Sequence, residues 1–301
     1  MRVVVLGGTG QVGLALVPLL RQENEVVAPS RADLDLAQPG AQARVERLAP
    51  DLVVNAAAWT DVDAAERDEP GCLAVNAAGA GAVARACARL DAPLVHLSTD
   101  FVFSGELGRP YREDDATGPV NAYGRAKLAG EREVERAGAT AFLLRTSWVY
   151  SLGRPSFVSR MIERARHAEE LVAPDDQVGS PTSASALAEA IAALVRSLGP
   201  NPRARAARSA GLYHLAGRGA ASRYELTCAI VEVLGARPGI RATRVRAAPA
   251  TSFVTGAVRP RATALDCSRA ERALGLLLPP WRSALDQVLA GARSSGHSGV
   301  A

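Results

Sequence analysis

Short apolar runs alternate with stretches of helical rhythm through residues 1–146. Arg2–Leu6 (RVVVL) is almost wholly apolar and rich in valine, the pattern of a strand buried on both faces of a parallel sheet. From Gln11 to Leu20 the apolar positions Val12, Leu16, Leu19 and Leu20 recur at helical spacing. Further strand-like runs stand at 25–28, 52–56, 94–98 and 141–145, with helical segments near 41–48, 71–90 and 122–136. This alternation predicts an α/β fold with a Rossmann-type, doubly wound parallel sheet and right-handed crossovers.

Beyond Trp148 the pattern loosens. Helices are predicted over 155–168, 183–197, 222–234 and 280–292, with a strand-like 212–216. Residues 198–209 (LGPNPRARAARS) are polar, basic and proline-containing, and read as an exposed loop; the Gly/Ser-rich 293–301 reads as a disordered tail. The expected organisation is an NAD(P)-binding domain over 1–146, to which segments near 182–216 return. A smaller C-terminal α/β substrate-binding domain covers 147–181 and 217–292. No internal repeat is found.

Hydrophobic residues make up 48% of the 301, enough for a substantial core, yet aromatics are only 4%, so alanine, leucine and valine must do the packing. The formal charge is +4, from 35 basic and 31 acidic residues spread along the chain. No basic run is interleaved with aromatics, which argues against nucleic acid as a partner. No apolar run approaches the length of a membrane span, and the chain enters a strand at once, so neither a membrane nor a signal peptide is expected. Cys72, Cys87, Cys228 and Cys267 are scattered without paired spacing, which suits a reducing, cytoplasmic setting. His96, His167, His214 and His297 are isolated too. His96 and His214, inside apolar runs, read as buried neutral rings, and no metal constellation is present.

The first motif with chemistry is Gly7-Gly8-Thr9-Gly10-Gln11-Val12-Gly13, directly behind the first strand and opening the first helix. Strand, glycine turn and helix is the context a dinucleotide fingerprint needs. The missing side chains let a pyrophosphate approach the amides and positive dipole of the helix start. After the second strand come Ser30 and Arg31, where an NAD-specific site would carry an acid; a neutral donor and a cation suit the 2′-phosphate of NADPH. NADPH is therefore the expected cofactor, with NADH as the other candidate. A turn ending near Asp35 is placed over the adenine.

The second and third motifs concern proton transfer. Asn55-Ala56-Ala57-Ala58 and Ser98-Thr99-Asp100 end strands on the side where such sheets bind ligands. Tyr123 and Lys127 are four apart, one helical turn, and so share a face. A nearby ammonium lowers the pKa of a phenol by stabilising the phenolate. Tyr123 is then a general acid for a carbonyl oxygen, with Thr99 (or Ser98) donating a hydrogen bond to the same oxygen.

These residues resemble the extended short-chain dehydrogenase/reductase family, and within it the dTDP-4-dehydrorhamnose reductases. The resemblance runs through GGTGQVG (7–13), DLDL (33–36), PDLVVNAAAWTDVDAAE (50–66), VNA (75–77), STDFVFSG (98–105) and PYREDD (110–115). It continues through YGRAKLAGE (123–131), LRTSWVY (144–150), DDQVGSPTS (175–183), GLYHLAG (211–217), the Arg-Pro at 259–260 and LPPW (278–281). It implies NAD(P)H-dependent reduction of the 4-keto group of a dTDP-6-deoxy-hexulose, a dTDP-sugar substrate. It also implies Tyr123 as proton donor, Lys127 on the nicotinamide ribose, Thr99 on the substrate oxygen, and Asp100 and Trp148 against the sugar. Gly10 to Gly13, Asp35, Leu36 and Ala56 to Ala58 would line the cofactor.

Four positions depart from the family pattern. Phe101 stands where a tyrosine is common, and Ser30 where some members carry an acid. Arg259-Pro260 leads to Ala262-Thr263 instead of an Asn-Ser pair, which removes an asparagine contact. Some members form a homodimer through magnesium bridged by glutamates of the first helix; Ala15 occupies that place, which weakens the expectation of Mg2+ and of that dimer. Two rival readings share the scaffold: another sugar-nucleotide epimerase or ketoreductase, and a non-catalytic NADP-binding regulatory subunit.

Overall fold

The valine-rich runs all enter one sheet. In the computed structural model, which describes residues 1–235 and 237–294, six strands pair in parallel: β1 (Arg2–Leu6), β2 (Glu25–Val27), β3 (Leu52–Asn55), β4 (Leu94–Thr99), β5 (Ala141–Thr146) and β6 (Gly211–His214). Their spatial order is β6-β5-β4-β3-β1-β2. The chain therefore winds one way from β1 to β2 and the other way from β3 onward. The crevice beyond the carboxyl ends of β1 and β3 is the topological switch point where such sheets hold ligands.

Successive residues of β1 serve opposite faces, as strand geometry requires. Val3 and Val5 pack with Leu16 of helix α1 (Gln11–Leu20) and with Leu187, Ile191 and Val195 of a later helix. Val4 and Leu6 pack with Val83, Ala84 and Cys87 of α2 (Glu69–Leu90) and Val134 of α3 (Ala122–Arg136). The middle of α2, Ala74–Gly79, widens into a π turn. A Cβ at Gly130 of α3 would fall 2.0 Å from the carbonyl oxygen of Asn76, so the missing side chain lets α3 close on that turn. By length and composition alone α2 could cross a membrane, but 56% of its apolar window is buried inside the protein.

A second lobe follows β5. Its helices are α4 (Phe157–His167), α6 (Arg223–Leu234) and α7 (Trp281–Ser294), whereas α5 (Ala184–Leu198) returns to the sheet, where it carries Leu187, Ile191 and Val195. The lobe has its own core of Tyr150, Val158, Met161, Leu226, Ile230, Leu285 and Leu289. A parallel strand pair, Glu170–Pro174 with Arg244–Ala248, is not foreseen by the sequence pattern; three of the five residues in the second strand are exposed, so apolar periodicity is absent there.

Two expectations are corrected. Residues 198–209 are not all loop: Pro202–Ser209 is a helix, started by Pro202 in its first turn and held by buried Ala206. The predicted tail at 293–301 begins too early, because α7 continues to Ser294; residues 295–301 lie outside the described residues. His96 and His214 are buried, and burial pushes both below the usual histidine pKa, His214 to about 3. All four cysteines are free, and no group of metal-ligating side chains occurs among the described residues.

Candidate active site

The glycine turn brings β1 and α1 into contact that side chains would forbid. Gly7 has φ +79°, and a Cβ there would lie 2.6 Å from the Ala57 amide nitrogen. A Cβ on Gly13 would lie 2.2 Å from the Gly7 carbonyl oxygen. The N-cap of α1 is Gly10, which offers no side-chain oxygen to the first amides, so these point into the crevice free to meet an anion. A cavity of about 270 Å3 opens here, lined by Gly7, Gly10, Arg31, Asp35, Leu36 and Ala56 to Ala58. It adjoins one of about 410 Å3 lined by Gly10, Gln11, Val12, Thr99, Tyr123, Lys127 and Trp148, among others. Ala56, Ala58 and Gly10 belong to both, so the two form one crevice with the shape and free amides that fit a dinucleotide.

Three predicted residues do not line it. Gly13 is inside the turn. Ser30 is exposed, and its hydroxyl donates to Asp33 Oδ2 at 2.7 Å. Asp100 is buried behind Thr99. Arg31 does reach the rim, where it pairs with Asp35 at 3.5 Å.

Helix α3 is started by Asn121, whose side chain accepts from the Gly124 amide at 2.8 Å and donates to the Val258 carbonyl at 2.9 Å. A Cβ on Gly124 would meet the Phe101 carbonyl oxygen at 2.2 Å, so the helix start lies flush against the end of β4. Tyr123 is thereby brought to Thr99, and Phe101 packs edge-on against its ring, centroids 5.8 Å apart. Lys127, one turn on, is almost fully buried and donates from Nζ to the Leu97 carbonyl at 2.7 Å.

The electrostatics correct one expectation. Burial, not the ammonium, dominates the phenol: it raises Tyr123 above the usual tyrosine value, the Thr99 hydroxyl opposes the rise, and nearby Asp100 adds to it. Burial also lowers Lys127 to about 8, while Glu131 acts in the other direction.

Asp100 is held by three hydroxyls. Thr263 Oγ1 donates to Oδ2 at 2.5 Å, Ser147 Oγ to the same oxygen at 2.9 Å, and Thr99 Oγ1 to Oδ1 at 3.2 Å. Burial lifts its carboxyl to about 6 even so. Thr263, the residue after Ala262, thus supplies a polar contact from the late segment.

Trp148 adopts φ +45°, a conformation uncommon for a bulky residue, and it is fixed by its surroundings. Gly179 leaves room for the indole, since a Cβ there would fall 2.3 Å from the ring. The Arg223 guanidinium lies over that indole, 3.5 Å from the ring centroid, and 4.4 Å from the Phe157 ring. Burial lowers Arg223 to about 9, and Asp100 counters the shift.

Sequence reading missed Arg223, Arg160 and Thr263, all brought to the crevice or its back wall by the second lobe. Their signal is weak, because each is a common residue type on an unremarkable segment. It also passed over a strong one: Lys127 is the only lysine among the 35 basic residues of the chain. Arginine stays charged at neutral pH even when buried, whereas a buried lysine can be tuned into that range. A lone lysine one turn from Tyr123 marks a position where arginine does not serve.

Fold and site define a Rossmann-type oxidoreductase with a Tyr–Lys pair at the mouth of a dinucleotide crevice. Residues 1–294 match the family model described as RmlD substrate binding domain. A dTDP-4-dehydrorhamnose reductase of Sinorhizobium fredii is 38% identical over 282 residues, 93% of this chain and 94% of that one. A dTDP-4-keto-6-deoxy-D-glucose reductase of Streptomyces niveus is 39% identical over 290 residues, 95% of this chain and 96% of that one. The crystal structure of a dTDP-4-dehydrorhamnose reductase from Bacillus anthracis, in complex with NADP, superimposes with a TM-score of 0.86 at 29% identity, covering 96% of this chain and 99% of that one. The chain belongs to the dTDP-4-dehydrorhamnose reductase family.

Proposed function

We propose that the chain uses NADPH to reduce the 4-keto group of dTDP-4-dehydrorhamnose to dTDP-L-rhamnose. The observation that carries this reading is the meeting of Thr99, Tyr123 and Lys127 on one wall of a crevice that starts at the glycine turn and ends at Trp148 and Arg223. NADPH, when bound, supplies the hydride. Tyr123 gives its proton to the carbonyl oxygen, which takes up charge as the carbon is reduced, and the Thr99 hydroxyl turns its one proton from Asp100 Oδ1 to that oxygen. A phenol raised by burial is a reservoir that keeps its proton until the oxygen demands it. Lys127, anchored on the Leu97 carbonyl, has two further N–H donors for the nicotinamide ribose.

At the far end Arg223 and Arg160 face the same cavity and suit the pyrophosphate of a nucleotide sugar. Trp148 offers an apolar wall to the deoxysugar. Asp100, saturated by hydroxyls, acts from behind by fixing Thr99. On this reading residues 1–146 serve mainly the cofactor and the second lobe mainly the sugar nucleotide. Arg31 at the rim favours NADPH over NADH. Ala15 leaves no carboxylate on α1 for a bridging magnesium, so no metal enters the scheme. Four free thiols suit the cytoplasm.

A second substrate, dTDP-4-keto-6-deoxy-D-glucose, is favoured by the Streptomyces niveus relative. Purified protein is given NADPH with each keto sugar in turn; cofactor oxidation gives the rate and NMR of the product the stereochemistry. Turnover to dTDP-L-rhamnose is expected. Turnover with the second sugar alone replaces the substrate, and turnover with neither overturns the reading.

A further inference from the structure

A buried ionic clamp lies beneath the Tyr123–Lys127 pair. Glu131 stands on α3 one turn beyond Lys127, so Tyr123, Lys127 and Glu131 form a column on one helix face. Glu131 is only 3% exposed. Its Oε1 accepts from Ser98 Oγ at 2.5 Å and from Arg145 Nε at 2.9 Å, and its Oε2 accepts from Arg145 Nη2 at 2.7 Å. Ser98 and Arg145 are direct partners in the pairing of β4 with β5. One carboxylate therefore ties α3 to two strands, a single residue before Thr99. The carbonyl that anchors Lys127 belongs to Leu97, the residue before Ser98.

Burying a charged pair is expensive, and an apolar pair of similar volume is often as stable, so stability alone does not account for this clamp. Its neighbour supplies a reason. Lys127 is faced by Cys72 of α2, by His96 of β4, and by Tyr123 and Glu131 of its own helix, with Arg145 of β5 behind Glu131. Burial holds the Cys72 thiol and the Tyr123 phenol protonated and the His96 ring neutral. Among these groups Glu131 supplies the negative charge that opposes the loss of the Lys127 proton.

We infer that Glu131, clamped by Ser98 and Arg145, is a positioning residue that keeps Lys127 protonated and seated on the Leu97 carbonyl across the neutral range. The inference rests on the reading of Lys127 as the ribose-binding cation. It also gives the lone lysine a context: a tunable cation stands one helical turn from a buried, clamped anion.

The single lysine makes a direct test possible. Full-length protein made with lysine carrying 13C at Cε gives one side-chain lysine resonance, whose pH titration reports Lys127. Wild type is expected to titrate near pH 8. Glu131→Gln is expected to titrate about one unit lower, the size of a lost neighbouring charge. The alkaline limb of kcat should move with it, a roughly fivefold loss at pH 8 against about 1.3-fold at pH 6.5. A merely structural role would lower activity evenly across pH. Should Glu131→Gln fail to fold, Glu131→Gln/Arg145→Met removes both buried charges and should still shift the titration downward, by no more than the loss of Glu131 alone. Arg145→Met alone should leave the titration in place or raise it. A wild-type Lys127 already neutral at pH 7, or a folded Glu131 variant titrating with wild type, overturns the inference. If the resonance shifts as expected but wild type turns over no keto sugar, the functional reading fails while the clamp stands.

Discussion

The two ends of the crevice are built by different means. At the nucleotide end the working groups are backbone amides and missing side chains: Gly7, Gly10, Gly13 and the alanines after β3, contributed by two short segments. At the end proposed for the sugar they are polar side chains, Arg223 and Arg160 at the cavity and the Thr263–Asp100–Ser147 cluster buried behind it, brought together from stretches up to 163 residues apart. The nucleotide end presents a helix start, which suits the pyrophosphate that any dinucleotide carries. The other end presents charges and an indole, which on the proposed reading select the sugar nucleotide. Between them Tyr123 and Lys127 join α3 to the carboxyl end of β4.

Substitutions should therefore fail differently at the two ends. The largest effect is expected at Gly13. Gly13→Ala forces a methyl into the Gly7 carbonyl, an overpacking cost of roughly 3 kcal/mol that appears as a hundredfold or greater loss of NADPH affinity in a fluorescence titration. Unchanged affinity would mean that the turn is not the pyrophosphate cradle.

Asp100 comes next, and its signature is pH. Its folded pKa of about 6 lies above the usual carboxylate value, so the folded state binds the extra proton between about 4 and 6. This contribution to stability is present at low pH and is lost as pH rises through 6, about 3 kcal/mol for a shift of this size. Asp100→Asn should flatten that part of the Tm-against-pH curve. An unaltered slope would place the titration elsewhere.

Arg223→Met keeps the contact with the two aromatic rings and removes the charge. A charge-assisted bond to a phosphate is worth about 2 kcal/mol, so KM for the sugar nucleotide should rise roughly 30-fold with NADPH affinity unchanged. Equal losses for both ligands would erase the distinction between the ends. Arg31→Ala should matter least. The side chain is 78% exposed, and a solvated ion contact is worth at most about 1 kcal/mol, so NADPH should weaken about threefold to fivefold while NADH holds.

The same contrast explains what the sequence makes legible. The sheet can be read because β1, β3 and β4 are buried on both faces, which leaves uninterrupted apolar runs, and because a glycine turn is a local event with a local signature. Tyr123 and Lys127 are legible for the same reason, being one helical turn apart. Thr263 is not: its hydroxyl acquires meaning only when residue 263 folds back onto residue 100. Arg223 is hidden likewise, since its neighbours Trp148 and Phe157 come from before and inside α4. The helix at Pro202–Ser209 is lost because one buried alanine holds it in an otherwise charged segment. The acidity expected of Tyr123 fails on a different point, since burial, which sequence does not display, outweighs the neighbouring ammonium.

The chemistry itself turns on one oxygen atom. Tyr123→Phe removes the phenolic hydroxyl and leaves the ring that Phe101 packs against. NADPH affinity and dTDP-4-keto sugar turnover measured side by side on this variant test the account most directly. NADPH binding within about twofold of wild type, with turnover down by about 100- to 10,000-fold, is the predicted result. Turnover close to wild type would contradict it.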